Sequence, residues 1–186
     1  MLFLTLQVVG QCDIIYVTPS GLPSGVGSMN DPMDISTAFT TAPSGSHIRM
    51  AVGTYTVNNS LSLNGQNIVV EGGFIDTLSW TKTSLAGATT IFRSNLNPAG
   101  PANAPRISAL ELVNLNGFRF QDVTIQTDNA PAATQVQPYG VTVYGVYMDS
   151  CASYSWVRCQ IISGNGGAGL NGSAGANGVN GTNGSQ

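Results

Sequence analysis

The sequence has very little charge. Only 8% of its 186 residues are Asp, Glu, Lys or Arg, against about 25% in an average soluble domain. Six basic residues against nine acidic ones offer no basic surface for a phosphate backbone, so nucleic-acid binding is not expected. Hydrophobic residues make up 42%, which is enough for one domain with a buried core. Ser, Thr, Asn and Gly must therefore hydrate the surface.

Cysteine and histidine are scarce as well. The three cysteines Cys12, Cys151 and Cys159 allow at most one intrachain disulfide, and neither they nor the single His47 show metal-ligand spacing. We expect Cys151 and Cys159 to be small core residues rather than a disulfide. Alternation along the following strand points His47 outward, so we expect it to be solvated.

Recognisable catalytic motifs are missing. No G-x-S-x-G, H-E-x-x-H or phosphate-binding loop occurs, and the acidic residues are dispersed, whereas glycoside hydrolases need paired carboxylates. No catalytic residue and no cofactor are expected. Asp128 and Asp149 lie near predicted loops and are the candidates for Ca²⁺ binding, without the spacing of a Ca²⁺ loop.

The first ten residues, MLFLTLQVVG, form an apolar run that is too short to span a bilayer. Small residues precede Gln11, as before a signal-peptidase cut, so residues 1–11 are interpreted as a signal peptide or its remnant. No basic residue precedes the run, and a buried first strand is the alternative. No transmembrane segment is expected.

One helix is predicted, over residues 32–42. Asp31 is its expected N-cap and Pro32 its first residue, and the helix ends before the Pro-Ser-Gly at 43–45. One narrow apolar stripe consists of Ile35, Ala38, Phe39 and Ala42. A helix that is apolar on one side only is expected to cover another apolar surface.

The rest of the chain reads as short strands between Gly, Asn and Ser turns, which predicts an all-β fold. The segments are DIIYVTPSG, HIRMAVGTYTV, SLSLNGQNIVVEGGF, TTIFRS, ALELVNL, FRFQDVTIQT, VTVYGVYM and WVRCQIIS. A β-sandwich is the alternative architecture, because short strands alone do not distinguish it.

Two of these segments repeat each other at an interval of 36 residues. Laying NLNGFRFQDVTIQT over SCASYSWVRCQIIS matches Phe118 with Tyr154, Phe120 with Trp156, Val123 with Cys159 and Ile125 with Ile161. Stacked coils need such matches, because equivalent inward positions lie above one another. The loop at 128–140 is excluded from the coil. Asp122 and Arg158 are also equivalent and are predicted to form a structural salt bridge on an outer face.

The span YVTPSGLPSGVGSMNDPMDISTAFTTAPSGSHIRMAVGTYTV resembles the start of secreted pectate-lyase-like β-helix proteins. VEGGF followed by WTKTS, and SCASYSWVRCQIISGNGG, are similar to later rungs in large surface proteins of the Bacteroidota, including gliding-motility adhesins. The resemblance implies a right-handed parallel β-helix whose helix caps the open end, and secretion by the type 9 route. It does not imply an activity, because this fold hosts lyases, hydrolases and scaffolds.

The C-terminal segment has glycine at every third position. These glycines are Gly166, Gly169, Gly172, Gly175, Gly178, Gly181 and Gly184. A period of three predicts an extended threefold helix, but the tract contains no proline to favour it. Three interpretations stay open: a collagen-like trimer, packed strands of the polyglycine-II type, and a flexible linker.

Aromatic residues are the candidates for carbohydrate binding, since their rings stack on sugars. Tyr154 and Trp156 match core positions of the previous coil, which leaves Tyr139, in the excluded loop, and Tyr144.

The predicted organisation is a leader at 1–11, a capped β-helix at 12–165 and a Gly-X-Y repeat at 166–186. The preferred hypothesis is a secreted, non-catalytic adhesin or structural module on the outside of the outer membrane. Its expected partners are surface glycans, other cell-surface proteins, or further copies of the chain, as a homotrimer or by self-association through the Gly repeat. The alternatives are the N-terminal part of a carbohydrate-active β-helix enzyme and an extracellular filament subunit.

Overall fold

In a computed structural model, which describes residues 13–77, 79–85 and 87–178, the chain winds into a β-solenoid of about four turns. The predictions for the leader, for Cys12 and for Gly181 and Gly184 lie outside these ranges. The strands in chain order are β1 (Ile14–Leu22), β2 (His47–Ala51), β3 (Gly53–Val57), β4 (Val69–Ile75), β5 (Thr81–Lys82), β6 (Thr89–Arg93), β7 (Arg106–Val113), β8 (Arg119–Gln121), β9 (Thr124–Thr127), β10 (Thr142–Asp149), β11 (Ser155–Val157) and β12 (Gln160–Ile162). One helix, α1 (Ile35–Thr41), joins β1 to β2. It is too short to cross a bilayer, and no other described segment forms a membrane-spanning helix.

The strands form three sheets along the solenoid. The first sheet has the order β1-β2-β4-β8-β11, the second has the order β3-β6-β9-β12, and the third pairs β7 with β10. All these pairs are parallel, and only the short β5 pairs antiparallel with β4. Parallel pairing between consecutive coils rules out the β-sandwich alternative, whose sheets are antiparallel.

The predicted 36-residue match is the register of the last two coils. Phe120 is the partner of Trp156, and Ile125 is the partner of Ile161. The Phe120 and Trp156 rings stack with centroids 4.7 Å apart. The loop that follows β9 is the excursion that the match had to exclude, because β10 resumes at Thr142.

The corners of the coils are bent by residues with positive φ. One corner position, just before the strands of the first sheet, is occupied in successive coils by Asn67 (54°), Gly117 (77°) and Ser153 (52°). A second corner position, just after these strands, is occupied by Asp122 (55°) and Arg158 (51°). A left-handed residue turns the chain sharply between two strands. A Cβ on Gly117 would overlap the side-chain amide of Asn67, and the positive φ of Gly117 also favours glycine. The corner residues of successive coils therefore lie directly above one another.

The helix begins later than the sequence indicated, so the predicted roles of Asp31 and Pro32 were wrong. Asp34 is the N-cap, and its carboxylate accepts hydrogen bonds from the amides of Ser36 and Thr37 at 2.9 and 3.1 Å. Asp31 instead accepts from the amide of Val26 at 3.1 Å and closes the preceding loop. Met33 is held extended by bridges to β1, which keeps the chain from turning into a helix before Asp34.

The apolar stripe of the helix lies in the core, as predicted. Ile35, Ala38, Phe39 and Ala42 belong to the same buried cluster as the inward side chains of the coils. Phe39 is fully buried, and its ring centroid lies 6.3 Å from that of Phe120 on β8. The helix therefore packs against the solenoid core along one face.

A second, smaller core lies on the outer face of the first sheet. The segment that includes β5 folds back there and packs Trp80 against Tyr16 and Phe74, with ring centroids 4.7 and 6.5 Å apart. The Arg49 guanidinium lies 5.2 Å from the Phe74 ring. This excursion covers part of the outer face and brings Lys82 to it.

Candidate functional site

A network of charged side chains crosses the outer face of the first sheet. Lys82 Nζ lies 2.6 Å from Glu71 Oε1 and 2.7 Å from Asp122 Oδ2. His47 Nε2 lies 2.9 Å from the other Glu71 oxygen. Arg158 donates from Nε and Nη2 to the two oxygens of Asp122, at 2.6 and 2.9 Å. These five residues are called the ionic network below.

The fold explains how residues so distant in sequence meet. Parallel register places Glu71 beside Arg49 on β2 and beside Gln121 on β8, all on the outward side. The hairpin of β4 and β5 returns Lys82 over the sheet. The corner position of Asp122 stacks below that of Arg158 in the next coil. The ionic network thus ties four successive strands of the sheet together.

Both carboxylates of the ionic network are held ionised. The hydrogen bonds from Arg158 lower the pKa of Asp122 well below its usual range, and Lys82 acts in the same direction. Burial alone would raise the pKa of Glu71, but Lys82 and His47 outweigh it and the pKa is lowered. A general acid of a glycosidase needs the opposite, a raised carboxyl pKa. The arrangement is suited to holding strands together rather than to proton transfer.

Burial lowers the pKa of His47 below its usual 6.5, against the opposing effect of Glu71. The folded chain therefore binds fewer protons at this site than the unfolded chain, so the stabilisation present above about pH 6.5 is lost as the pH falls. The pKa values of Glu71 and Asp122 are also lower in the folded chain, so a second loss of stability follows as these carboxylates are protonated below about pH 4.

We expect the melting temperature to fall between pH 7.5 and pH 5.5, and the variant His47→Gln to flatten this fall. The reason is that His47 is the only histidine, and Gln keeps a donor for Glu71 without titrating. Thermal unfolding followed by circular dichroism at both pH values measures the effect. An equal fall in the wild type and the variant would contradict the role given to His47.

The salt bridge predicted between Asp122 and Arg158 is confirmed. The expectation of a solvated His47 was wrong, because its side chain is 21% exposed and pairs with Glu71 on the neighbouring strand. Alternation gave the outward direction of His47 correctly. It could not show that the neighbouring strand places a carboxylate beside it.

The two tyrosines predicted to bind carbohydrate lie apart. Tyr139 is 48% exposed and lines a shallow groove between its loop and the glycine-rich segment, together with Gln135, Leu170 and Asn171. Tyr144 lies on β10, outside that groove, with its ring edge to face with Tyr147. Tyr139 combines an exposed ring with the neighbouring amide groups of Gln135 and Asn171.

The acidic residues predicted to hold Ca²⁺ make local hydrogen bonds instead of converging. Asp128 accepts from the amide of Asn129 at 2.8 Å, and Asp149 accepts from the Ser150 hydroxyl at 3.1 Å. Within the described ranges, no three His, Cys, Asp or Glu residues are grouped as metal ligands would be. Ca²⁺ binding stays a prediction.

Cys151 and Cys159 are free thiols, as expected for small core residues. Both pack against the core from the last coil. The Cys151 thiol donates to the carbonyl of Leu112 at 3.2 Å, and burial raises the pKa of Cys159. The surroundings of Cys159 therefore do not activate its thiol.

The start of the Gly repeat lies against the loop that follows β9. The amide of Gly167 donates to the carbonyl of Val141, and the amide of Leu170 donates to that of Pro138, both at 2.8 Å. From the first hydrogen bond to the second, the donor lies three residues later in the chain and the acceptor three residues earlier. The two segments therefore run antiparallel. A Cβ on Gly140 would overlap the Gly167 carbonyl, and one on Gly169 would lie 3.1 Å from the Pro138 oxygen. Glycine is what allows the backbones to approach.

Sequence reasoning missed two features of these sites. The first is Lys82, which binds both carboxylates of the ionic network. The sequence signal for this role was that Trp80 and Lys82 lie in one short segment, where a buried apolar side chain fixes the position of a nearby charged one. Arg93 is fully buried at the end of β6. The alternation of Thr89, Ile91 and Arg93 gave that inward position.

Comparisons of the chain with protein-family models, with curated proteins and with solved structures gave no match. The resemblance to pectate-lyase-like surface proteins therefore stays a hypothesis.

Proposed function

We propose that the chain is a non-catalytic module of a secreted or cell-surface protein, an adhesin or a structural component. In this proposal the right-handed solenoid is the scaffold, α1 caps its first coil, and the Gly repeat is a packing element. The observation that carries it is the backbone contact between the start of the repeat and the loop after β9.

The three-residue spacing of that contact supports packing of the polyglycine-II type. Extended threefold chains form no internal hydrogen bonds, so their amides must bond to neighbouring chains at intervals of three residues. The pairing of Gly167 with Val141 and of Leu170 with Pro138 has this interval. It is also antiparallel, whereas the three chains of a collagen helix run in one direction. A flexible linker would have no reason to keep glycine at each close approach.

The position of α1 supports the capping role. Its apolar stripe is buried in the main core, where the Phe39 ring centroid lies 6.3 Å from that of Phe120 on β8. Without a cover, the first coil would expose apolar side chains and strand edges. A right-handed winding is favoured because parallel crossovers are right-handed in almost all proteins.

The electrostatics of the ionic network support the absence of catalysis. Glu71 and Asp122 are each engaged by at least two hydrogen-bond donors and have lowered pKa values. Turnover of an acidic or neutral polysaccharide that Asp122→Asn abolishes, and Asp128→Asn leaves unchanged, would contradict this part of the proposal.

Contact with a surface glycan is best supported at Tyr139. The exposed ring offers a face for a sugar, and the amides of Gln135 and Asn171 in the same groove offer donors and acceptors for its hydroxyls.

Hydrogen exchange of the full chain tests the packing role of the repeat. We expect the amides of Gly167 and Leu170 to exchange slowly. Gly140→Ala should speed their exchange at least about tenfold, the cost of losing one hydrogen bond, and leave the amides of the coils unchanged. The matched control is Gly172→Ala, because an added Cβ there has open space around it among the described residues.

Fast exchange of Gly167 and Leu170 in the wild type would mean that the repeat is only a linker. Equal effects of Gly140→Ala and Gly172→Ala would mean that the contact with the loop is not what orders the repeat.

A further inference from the structure

A cavity of about 390 Å³ lies between α1 and the segment that follows β3. Ser36 and Thr40, on the exposed side of the helix, line one wall, and residues 58–62 line the other. The cavity shares no lining residue with the ionic network or with the groove at Tyr139. Its volume is within the range of about 300–1,000 Å³ that small-molecule sites occupy.

The lining of the cavity combines apolar and polar groups. Tyr55, Val57 and Leu61 are buried members of the main core, and each contributes to the lining. The polar part consists of exposed hydroxyl and amide side chains, among them Ser36, Thr56, Asn58, Asn59 and Ser62. An apolar surface with a few well-placed polar groups is typical of a site for an organic molecule that carries both CH and OH groups.

Asn58 and Asn59 supply hydrogen-bond donors whose positions are fixed. Asn58 Oδ1 accepts from the Ser94 hydroxyl at 2.7 Å, and Asn59 Oδ1 accepts from the side-chain amide of Asn97 at 3.3 Å. Both oxygens are thus bound to the next coil, which orients the planar amides. No described residue accepts from their NH₂ groups. These donors are therefore available to the hydroxyls of a ligand.

Asp34 supplies the one charge that the structure places in the lining. Its Oδ1 already caps α1 by accepting from the amides of Ser36 and Thr37, so these amides are not offered to an anion. Its Oδ2 is buried and has no hydrogen-bond partner among the described residues. A buried acceptor that lacks a donor costs about 1–3 kcal/mol. A ligand hydroxyl at this end of the cavity would supply the missing donor.

We infer that this cavity binds one neutral sugar unit of a glycan, as a second contact site besides Tyr139. The CH groups of the sugar ring pack on the apolar lining, while its hydroxyls accept from Asn58 and Asn59 and donate to Asp34. The same carboxylate disfavours acidic sugars, because a sugar carboxylate in the cavity meets a like charge. The inference deepens the proposed function and rests on it for the class of partner, but it does not depend on Tyr139.

NMR titration of the isotope-labelled full chain with the methyl glycosides of glucose, galactose and mannose tests the inference. We expect at least one of them to bind with a Kd on the order of 1 mM and to shift the side-chain amide signals of Asn58 and Asn59. Glucuronic acid should bind at least about tenfold more weakly. Asp34→Asn should reduce this difference, since Asn still caps a helix but carries no charge.

The variant Asn58→Asp keeps the acceptor for Ser94 and removes the donor that faces the ligand. It should raise the Kd of the bound glycoside at least about tenfold, the cost of roughly one lost hydrogen bond. The matched control is Asn103→Asp, which makes the same change of charge at an exposed loop residue outside the cavity and should leave the Kd unchanged.

An absence of binding by all three glycosides at concentrations well above this Kd would overturn the inference, as would equal effects of Asn58→Asp and Asn103→Asp. Equal affinities for glucuronic acid and the neutral sugars would contradict the role given to Asp34. Binding that Tyr139→Ala abolishes and Asn58→Asp leaves unchanged would place the sugar in the groove at Tyr139. That result would refute the cavity as a site and leave the proposed function standing.

Discussion

Replacing Phe39 by Ala should lower the free energy of unfolding by about 3–5 kcal/mol, and Phe39→Asp should prevent folding or secretion. The Phe39 ring is fully buried in the main core. It packs near Phe120 on β8, the third strand after β1 in the first sheet. Ala leaves a cavity at the junction of helix and coils. Asp adds an unpaired charge to that cavity, which costs more than the lost packing.

Urea unfolding followed by circular dichroism measures the loss for Phe39→Ala. The matched control is Thr40→Ala, because Thr40 is exposed on the same helix and should change stability by no more than about 0.5 kcal/mol. A soluble Phe39→Asp protein with an unchanged melting temperature would contradict the capping role of α1. It would mean that the first coils are stable without the helix.

The stacking of coils could be predicted because it repeats chemistry at a fixed interval. Phe120 and Trp156 occupy the same inward place in successive coils and must bury similar rings, so the sequence shows the register directly. The bond between Asp122 and Arg158 could be predicted for the same reason, since it joins equivalent corner positions. The contacts between residues 36 positions apart could therefore be predicted from the sequence.

The features that the sequence did not reveal depend on segments outside the repeat. The start of α1 moved from Asp31 to Asp34 because Met33 bridges to β1, a long-range contact that capping preferences do not include. Lys82 reaches Glu71 because the excursion after β4 folds back over the sheet. Such contacts follow from where a loop returns. A local pattern such as Trp80 near Lys82 does not indicate which residues the loop reaches.

Arg93 was missed for a different reason. Its position on β6 follows the same alternation as Ile91, so the pattern placed it inward, but a charged residue is normally assigned to the surface. It is accommodated because its guanidinium donates to the carbonyls of Ser94, Leu96 and Asn97, at 2.5, 2.7 and 2.9 Å. A buried cation here organises the turn that leaves β6.

Replacing Arg93 by Met should lower the free energy of unfolding by about 1–3 kcal/mol, the usual cost of leaving hydrogen-bonding groups without their partner. Three carbonyls would lose their donors in a turn that is partly buried, so water replaces only part of the lost bonding. Arg93→Lys should recover only part of the loss, because an ammonium lacks the planar fork that spans these carbonyls. Hydrogen exchange should rise in residues 94–97 of both variants, while the coils keep their protection.

Arg119→Met is the matched control for this experiment. Arg119 lies exposed on the outer face of the first sheet and donates to Gln121, so its loss should change stability by no more than about 0.5 kcal/mol. Equal unfolding midpoints for Arg93→Met and Arg119→Met in urea would show that the turn after β6 holds its shape without the guanidinium. A loss confined to Arg93→Met would show that this buried arginine acts as a structural cation that binds the backbone carbonyls of the turn.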